Sequence, residues 1–332
     1  MRPFEEKHQT MKQFISILFS ILVSAACLNA QQNTFSFSNQ PSVVSPEISG
    51  SEVTFRLAAD YTTTVRLCGS WLDEPVPMRK SEGVWSVTVA LPAPEIYTYY
   101  FLVDGVAVQD PANCRLVREG SRYYNLLMVN GAASANYFEA QRRGSVEYVW
   151  YNSRILGFSR RMAVYLPDGY YDKANAKKQY PVLFLLHGEG DDEESWISKG
   201  RASMILDNLI LQGKASQMIV VMPNCNPGQQ ASATLGLSEV DASAKYASPD
   251  HAMARSICEE IVPFISSSYR VNAKPAFRVL SGQSSDKGVM REVRAGYPNV
   301  FGSVKNMPEA DNVDEWAGKR VQLNTLAPGL FK

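Results

Sequence analysis

The sequence predicts two domains, a β-sandwich followed by an α/β domain with a mostly parallel sheet. Between residues 51 and 127, short runs of alternating apolar and polar residues are separated by turn residues, as is typical of a sandwich. After Val146, continuous apolar runs alternate with helical spacing, as is typical of strands buried on both faces. The 332 residues, 45% hydrophobic and 20% charged, are ample for two globular domains.

The first domain, at residues 36–130, is predicted to contain four strands and a hairpin. Asp104-Gly105 separates two apolar runs and predicts a type I′ turn, because both of its central residues must accept a positive φ. Small and polar residues then predict a linker at 131–145. The predicted strands are 53–57, 64–67, 84–89 and 97–103.

The second domain, at residues 146–332, is predicted to contain central apolar strands and intervening helices. The alternating run Val321-Gln322-Leu323 is also predicted as a strand. Since little strand pattern follows residue 300, we expect the sheet to be incomplete. The other predicted elements are strands at 181–186, 218–222 and 277–280 and helices around 204–210 and 252–267.

Residues 1–30 are predicted to be a signal peptide. Lys12 precedes an apolar stretch that is too short to span a bilayer permanently, and small residues follow it. Cleavage near Ala30 would give a secreted or periplasmic protein. The segment Ser24-Ala25-Ala26-Cys27 also resembles a bacterial lipoprotein box, so an outer-membrane lipoprotein anchored at Cys27 is the alternative.

Charge and cysteine content limit the partners. With 33 basic and 33 acidic residues, no field of one sign exists to attract a nucleic acid. The spacing of the cysteines is not of the zinc-binding type, and we expect neither a metal nor an organic cofactor. Cys68, Cys114, Cys225 and Cys258 are predicted to be small buried hydrophobic residues, with disulfide pairing as the alternative in an exported protein.

Three segments give the first domain a recognisable likeness: Cys68-Gly69-Ser70-Trp71, Gly83-Val84-Trp85-Ser86 and Asp110-Pro111-Ala112-Asn113. They resemble the early-set immunoglobulin-like module that precedes many polysaccharide-active enzymes. The resemblance makes Trp71 and Trp85 carbohydrate-binding candidates, because the apolar face of a sugar stacks on aromatic rings. The alternative is that both rings pack inside the sandwich.

The second domain carries a further set of motifs: Tyr165-Leu166-Pro167-Asp168-Gly169-Tyr170, Leu185-Leu186-His187-Gly188, and Val221-Met222-Pro223-Asn224. These resemble the esterase D-like branch of the α/β-hydrolases, in particular the feruloyl and acetyl-xylan esterases. The resemblance implies serine-dependent hydrolysis of acyl or feruloyl esters on xylan, a plant cell-wall polysaccharide.

The same resemblance assigns the candidate site residues. Ser284 takes the position of the nucleophile, at a strand-to-helix turn that begins with Gly282. Backbone N–H groups of Gly188, Glu189 and Ser285 take the positions of the oxyanion hole. Four acidic residues, 191–194, follow closely, and we expect their charge to oppose an oxyanion.

The general base is missing from this pattern. In the α/β-hydrolase order a histidine follows the serine, but the three histidines of the chain, His8, His187 and His251, all precede Ser284. We expect the hydrolase domain to be truncated or divergent and its activity to be lost or weak. The alternative is a non-catalytic glycan-binding or scaffold protein.

Overall fold

The computed structural model describes residues 43–119, 122–188, 191–231, 246–282, 287–307 and 315–331. In the first part of the chain, two antiparallel sheets enclose a common core. One sheet has the strand order β1-β2-β6-β5, and the other has the order β4-β3-β7-β10-β9, with β8 paired to β7. The strands are β1 (Glu47–Ser49), β2 (Glu52–Ala58), β3 (Val65–Gly69), β4 (Val76–Pro77), β5 (Arg79–Ser81), β6 (Val84–Ala90), β7 (Ile96–Val103), β8 (Val106–Val108), β9 (Leu116–Glu119) and β10 (Arg122–Met128).

Alternating side chains fill this core as the sequence predicts. In β2, Val53, Phe55 and Leu57 are buried, and the residues between them are more exposed. Each of the four predicted runs lies largely within a strand. The predicted hairpin is confirmed, because Asp104 and Gly105 have φ values of 45° and 87° and the strands on either side pair antiparallel.

The second part of the chain forms a mixed six-stranded sheet in the order β11-β12-β14-β13-β15-β16. The first two strands form an antiparallel hairpin, β12 pairs antiparallel with β14, and the remaining pairs are parallel. The strands are β11 (Ser145–Ser153), β12 (Phe158–Leu166), β13 (Val182–Leu185), β14 (Ile219–Pro223), β15 (Arg278–Gly282) and β16 (Ser303–Asn306). The helices are α1 (Ser195–Ser198), α2 (Ala202–Leu211), α3 (Pro249–Arg255), α4 (Val262–Ser268), α5 (Lys287–Gly296) and α6 (Glu315–Leu326).

Both faces of this sheet are covered, which explains the continuous apolar strands. On β13, Phe184 packs into the cluster that contains Met253 and Met290 of α3 and α5. Leu183, one residue earlier, points to the opposite face and packs with Leu206 of α2. None of the helices in the described ranges combines the length and hydropathy needed to cross a bilayer.

Two helices differ from the sequence prediction. The run 321–323 lies in the helix α6, so its prediction as a strand was wrong, because a pattern of only three residues fits either period. The predicted helix 252–267 forms, but a π-helical segment, Ser256–Ile261, separates α3 from α4. Pro263 lies just beyond it and lacks the N–H that a regular α-helical turn requires.

The two parts of the chain share one of the hydrophobic clusters. Ile96 and Leu126 of the sandwich pack in the same cluster as Trp196 and Leu183 of the α/β part. The segment predicted as a linker takes part in this contact, since Tyr137 is buried in the cluster. The sandwich is therefore packed against one face of the α/β sheet.

Candidate active site

The carboxyl ends of the parallel strands meet at one edge of the sheet. His187 and Gly188 follow β13, Asn224 follows β14, and Gly282 ends β15. Ligands of open α/β sheets bind at this kind of edge. Gly188 is buried here, whereas Ser284, Ser285 and Glu189 lie outside the described residues.

His187 is buried and has both ring nitrogens occupied. Its Nδ1 lies 2.8 Å from the carbonyl oxygen of Gly188, and its Nε2 lies 2.7 Å from the backbone nitrogen of Cys225. A carbonyl only accepts and a backbone N–H only donates, so Nδ1 carries the proton and the imidazole is neutral. Burial, the largest cause, lowers the pKa of His187. The side chain therefore joins the loops after β13 and β14 and has no free lone pair with which to take a proton from a serine.

His251 lies on the surface of α3. Its backbone N–H donates to the hydroxyl oxygen of Ser248 at the start of the helix, and its side chain is 56% exposed. The Nδ1 atom lies 3.0 Å from Oε2 of Glu292 on α5. Both histidines of the described part of the chain thus have their side chains engaged by other protein groups.

The acidic loop 191–194 is paired with basic side chains, and the expected unbalanced negative charge is not found. Asp191 contacts Lys199 and Lys319, the latter at 3.3 Å. The other three acids pair with arginines: Asp192 with Arg118 of the sandwich, and Glu193 and Glu194 with Arg161 at 2.8 and 2.5 Å. Most of these groups are buried, where an unpaired charge would be costly. The loop is therefore much closer to electrical balance than its sequence indicates.

Arg160 holds the loop after β14, a role that sequence reasoning missed. Its Nη1 donates to the carbonyl oxygens of Asn226, Pro227 and Gln229, and its Nη2 donates to that of Asn224. The signal in the sequence was the pair Arg160-Arg161 in an otherwise apolar strand. Adjacent strand residues point to opposite faces, so the two arginines hold different parts of the site.

Asp250 lies against the first turn of α5, the helix that follows the Ser284 segment. A Cβ atom at Gly288 would lie 1.8 Å from Oδ2 of Asp250, so only a glycine allows this approach without movement of the carboxylate. The positive end of a helix favours negative charge. The carboxylate of Asp250 therefore partly neutralises the positive electrostatic potential at the start of α5.

The two carbohydrate-binding candidates contact the core of the sandwich. Trp85 is buried, and its Nε1 donates to the carbonyl oxygen of Ala59. Trp71 is partly buried, stacks on Phe55 and meets Tyr97 edge to face. These contacts support the packing interpretation of both rings.

The cysteine prediction is correct for three of the four residues. Cys68, Cys225 and Cys258 are buried and form no disulfide within the described residues, but Cys114 is exposed, so its prediction as a buried residue was wrong. Cys114 lies in an irregular segment before β9, where its apolar neighbours in sequence do not enclose it. In the described part of the chain, His, Cys, Asp and Glu side chains form no group of three or more that could hold a metal ion.

Comparisons with known proteins agree with the fold. Residues 153–307 match the family described as "Putative esterase". An endo-1,4-beta-xylanase/feruloyl esterase of Xylanibacter ruminicola is 27% identical over 68% of this chain, and an endo-1,4-beta-xylanase Y of Acetivibrio thermocellus is 35% identical over 21%. The matched stretches span only 30% and 6% of these two curated relatives.

A solved structure shares the fold. The enterobactin esterase of Shigella flexneri superimposes with a TM-score of 0.55 over 77% of this chain and 70% of that protein, at 15% identity. At this level of identity the superposition shows a shared fold, and the family match over residues 153–307 falls in the same part of the chain.

Proposed function

We propose that this chain is an exported, carbohydrate-esterase-like protein of plant polysaccharide breakdown in which ester hydrolysis is weak or absent. Acyl or feruloyl esters of xylan are the proposed substrate class, which the similarity to a feruloyl esterase supports. The loss of activity is supported by one observation: His187 and His251 both have their side chains engaged elsewhere.

The proposed chemistry follows from what a serine hydrolase needs. The hydroxyl of Ser284 would attack the ester carbonyl, and backbone N–H groups of Gly188, Glu189 and Ser285 would stabilise the resulting oxyanion. Without a base to accept its proton, the hydroxyl is a poor nucleophile. Only the contribution of oxyanion stabilisation and binding would remain, about 10³-fold to 10⁴-fold over water in comparable enzymes.

Release of p-nitrophenol from its acetate ester, and of ferulate from methyl ferulate, tests this proposal. We expect turnover close to that of the Ser284→Ala variant for both esters. Robust turnover that Ser284→Ala abolishes would contradict the loss of activity. Turnover that disappears in His251→Gln instead would identify His251 as a base.

Added imidazole separates the loss of the base from the loss of the whole site. If only the base is missing, imidazole in solution should accelerate ester cleavage by the wild-type chain more than by Ser284→Ala, which corrects for the direct reaction of imidazole with the ester. Equal acceleration of both would mean that the serine and oxyanion positions are also inactive.

A second candidate function is glycan binding by the sandwich, which one cavity favours. The cavity, about 330 Å³, lies on the outer face of the sheet that contains β3, β7 and β10. Tyr100 and Tyr124 meet edge to face at 5.7 Å along its wall, and Glu74 and Glu119 supply carboxylates that can accept hydroxyl protons. Affinity electrophoresis on xylan, arabinoxylan and starch tests it. Retardation lost in Tyr100→Ala supports this function, and no retardation on any of them counts against it.

A further inference from the structure

Two exposed aromatic rings lie side by side on the edge strand β11. Tyr148 and Trp150 are each 45% exposed, although large aromatic residues on strands are usually covered. Being two residues apart, they point to the same face, with their Cα atoms about 7 Å apart. Asn152, also exposed, continues the row and places an amide next to the rings.

Charged side chains are fixed at the border of this row. Arg161 pairs in register with Trp150, and its guanidinium lies 5.1 Å from the ring centre of Tyr148 and 5.9 Å from that of Trp150. Glu193 and Glu194 form ion pairs with the same guanidinium, at its Nε and Nη2 atoms. The surface formed by Tyr148, Trp150, Arg161 and Glu194 is called the aromatic platform below.

The aromatic platform is connected to the candidate site. Glu193 binds Arg161 with one carboxylate oxygen and accepts a 2.9 Å hydrogen bond from Asn224 with the other. Asn224 follows β14 at the carboxyl edge of the sheet, and the register places Arg161 beside it, one residue before the Met162–Pro223 pair. With strands about 4.8 Å apart, β11 lies about 14 Å from β13 and about 19 Å from β15.

The chemistry of the aromatic platform favours a neutral, hydroxyl-rich ligand. The aromatic rings offer apolar faces, and Glu194, whose side chain is 40% exposed, offers an acceptor for hydroxyl protons. The positive charge of Arg161 is matched by two carboxylates, which disfavours an anionic ligand. An acyl group held at the end of β15 is too short to reach β11, whereas the polysaccharide that carries it is long enough to span that distance.

We propose that the aromatic platform binds sugar units of the xylan main chain, several units away from the ester. This inference rests on the proposed carbohydrate-directed function and adds a binding site to it. It concerns glycan binding alone and holds whether or not Ser284 is active.

Calorimetric titration of the full chain with xylohexaose tests the proposal. We expect Trp150→Ala to weaken binding by about tenfold or more, as truncation of a central aromatic contact typically does. Trp150→Phe, which keeps a ring, should lose less. Tyr61→Ala is the matched control, because Tyr61 is 99% exposed on the sandwich and should leave binding unchanged.

Fluorescence provides a measurement that needs no variant. Trp150 is the tryptophan with the highest exposure in the described ranges, so it should dominate quenching by iodide. Saturating xylohexaose should reduce this quenching if the sugar covers the ring. Unchanged quenching, or binding by Trp150→Ala equal to that of the wild type, would overturn the proposal.

The test of glycan binding can fail or succeed independently of the test of ester hydrolysis. Methyl ferulate contains no sugar, so its cleavage reports on the serine site alone. If xylohexaose binds but Tyr100→Ala, and not Trp150→Ala, abolishes the binding, the sandwich is the glycan site and the aromatic platform is excluded. If the wild type does not bind xylohexaose at millimolar concentration, the aromatic platform is excluded as well.

Discussion

Replacing His187 with glutamine should remove part of the acid sensitivity of the protein. In the native state Nε2 of His187 accepts a hydrogen bond from the backbone N–H of Cys225. Protonation would place a second donor opposite that N–H, in a buried position that also disfavours charge. Glutamine offers one donor and one acceptor but does not titrate.

The magnitude follows from linkage between protonation and folding. Burial lowers the pKa of His187, so below pH 6.5 the unfolded chain binds a proton that the native protein resists. The contribution of His187 to stability is complete above that pH and is lost as the pH falls. While the native imidazole stays neutral, the loss is about 1 kcal/mol at pH 5.5 and approaches about 2 kcal/mol at pH 5.0.

Urea unfolding between pH 7.5 and pH 5.0 measures this effect. The free energy of unfolding of the wild type should fall more steeply below pH 6.5 than that of His187→Gln, and the difference between the two curves should grow by the amounts given above. His251→Gln is the matched control, since it removes an exposed histidine on α3. Parallel curves for the wild type and His187→Gln would refute the neutral, doubly bonded imidazole.

Three further predictions concern other parts of the molecule. Arg160→Met should destabilise the protein by at least about 3 kcal/mol and speed amide exchange in the loop after β14, because several buried carbonyls lose their donor. Arg118→Ala should cost about 3–5 kcal/mol in urea unfolding, since it leaves the buried carboxylate of Asp192 without this cation, and a cost below 1 kcal/mol would contradict that role. Cys114 should react with a thiol reagent in the native protein, a fast phase absent from Cys114→Ser, whereas Cys258, whose pKa burial raises to about 12, should react only after unfolding.

Local sequence patterns were sufficient to predict most of the strands and which of their faces are buried. The alternation at Val53, Phe55 and Leu57 directly reports a strand with one buried face. The continuous run at β13 reports a strand buried on both faces. The run 321–323 failed because three residues cannot distinguish a period of 2 from one of 3.6, and packing against the α/β sheet decided for a helix.

The contacts of the candidate site were beyond the reach of local patterns. His187 and Cys225 are 38 residues apart in sequence. Arg118 lies on β9 of the sandwich, whereas its partner Asp192 lies in a loop of the α/β part. Such pairs form only when two chain segments are brought together by the fold. The sequence was sufficient to place His187 at the end of a strand. Its hydrogen-bond partner could not be predicted, because Cys225 reaches His187 only when β13 and β14 are neighbours in the sheet.

The acidic loop shows that contacts formed by the fold can reverse a conclusion drawn from the sequence alone. Read along the chain, residues 191–194 place up to four negative charges next to the proposed oxyanion position and argue against ester chemistry. In the fold, each of these acids has a basic partner, and one partner, Arg118, comes from the sandwich. The sandwich thus contributes to the charge balance of the acidic loop beside the candidate site. The proposed loss of activity then rests on the side chains of His187 and His251, which are both engaged by other protein groups.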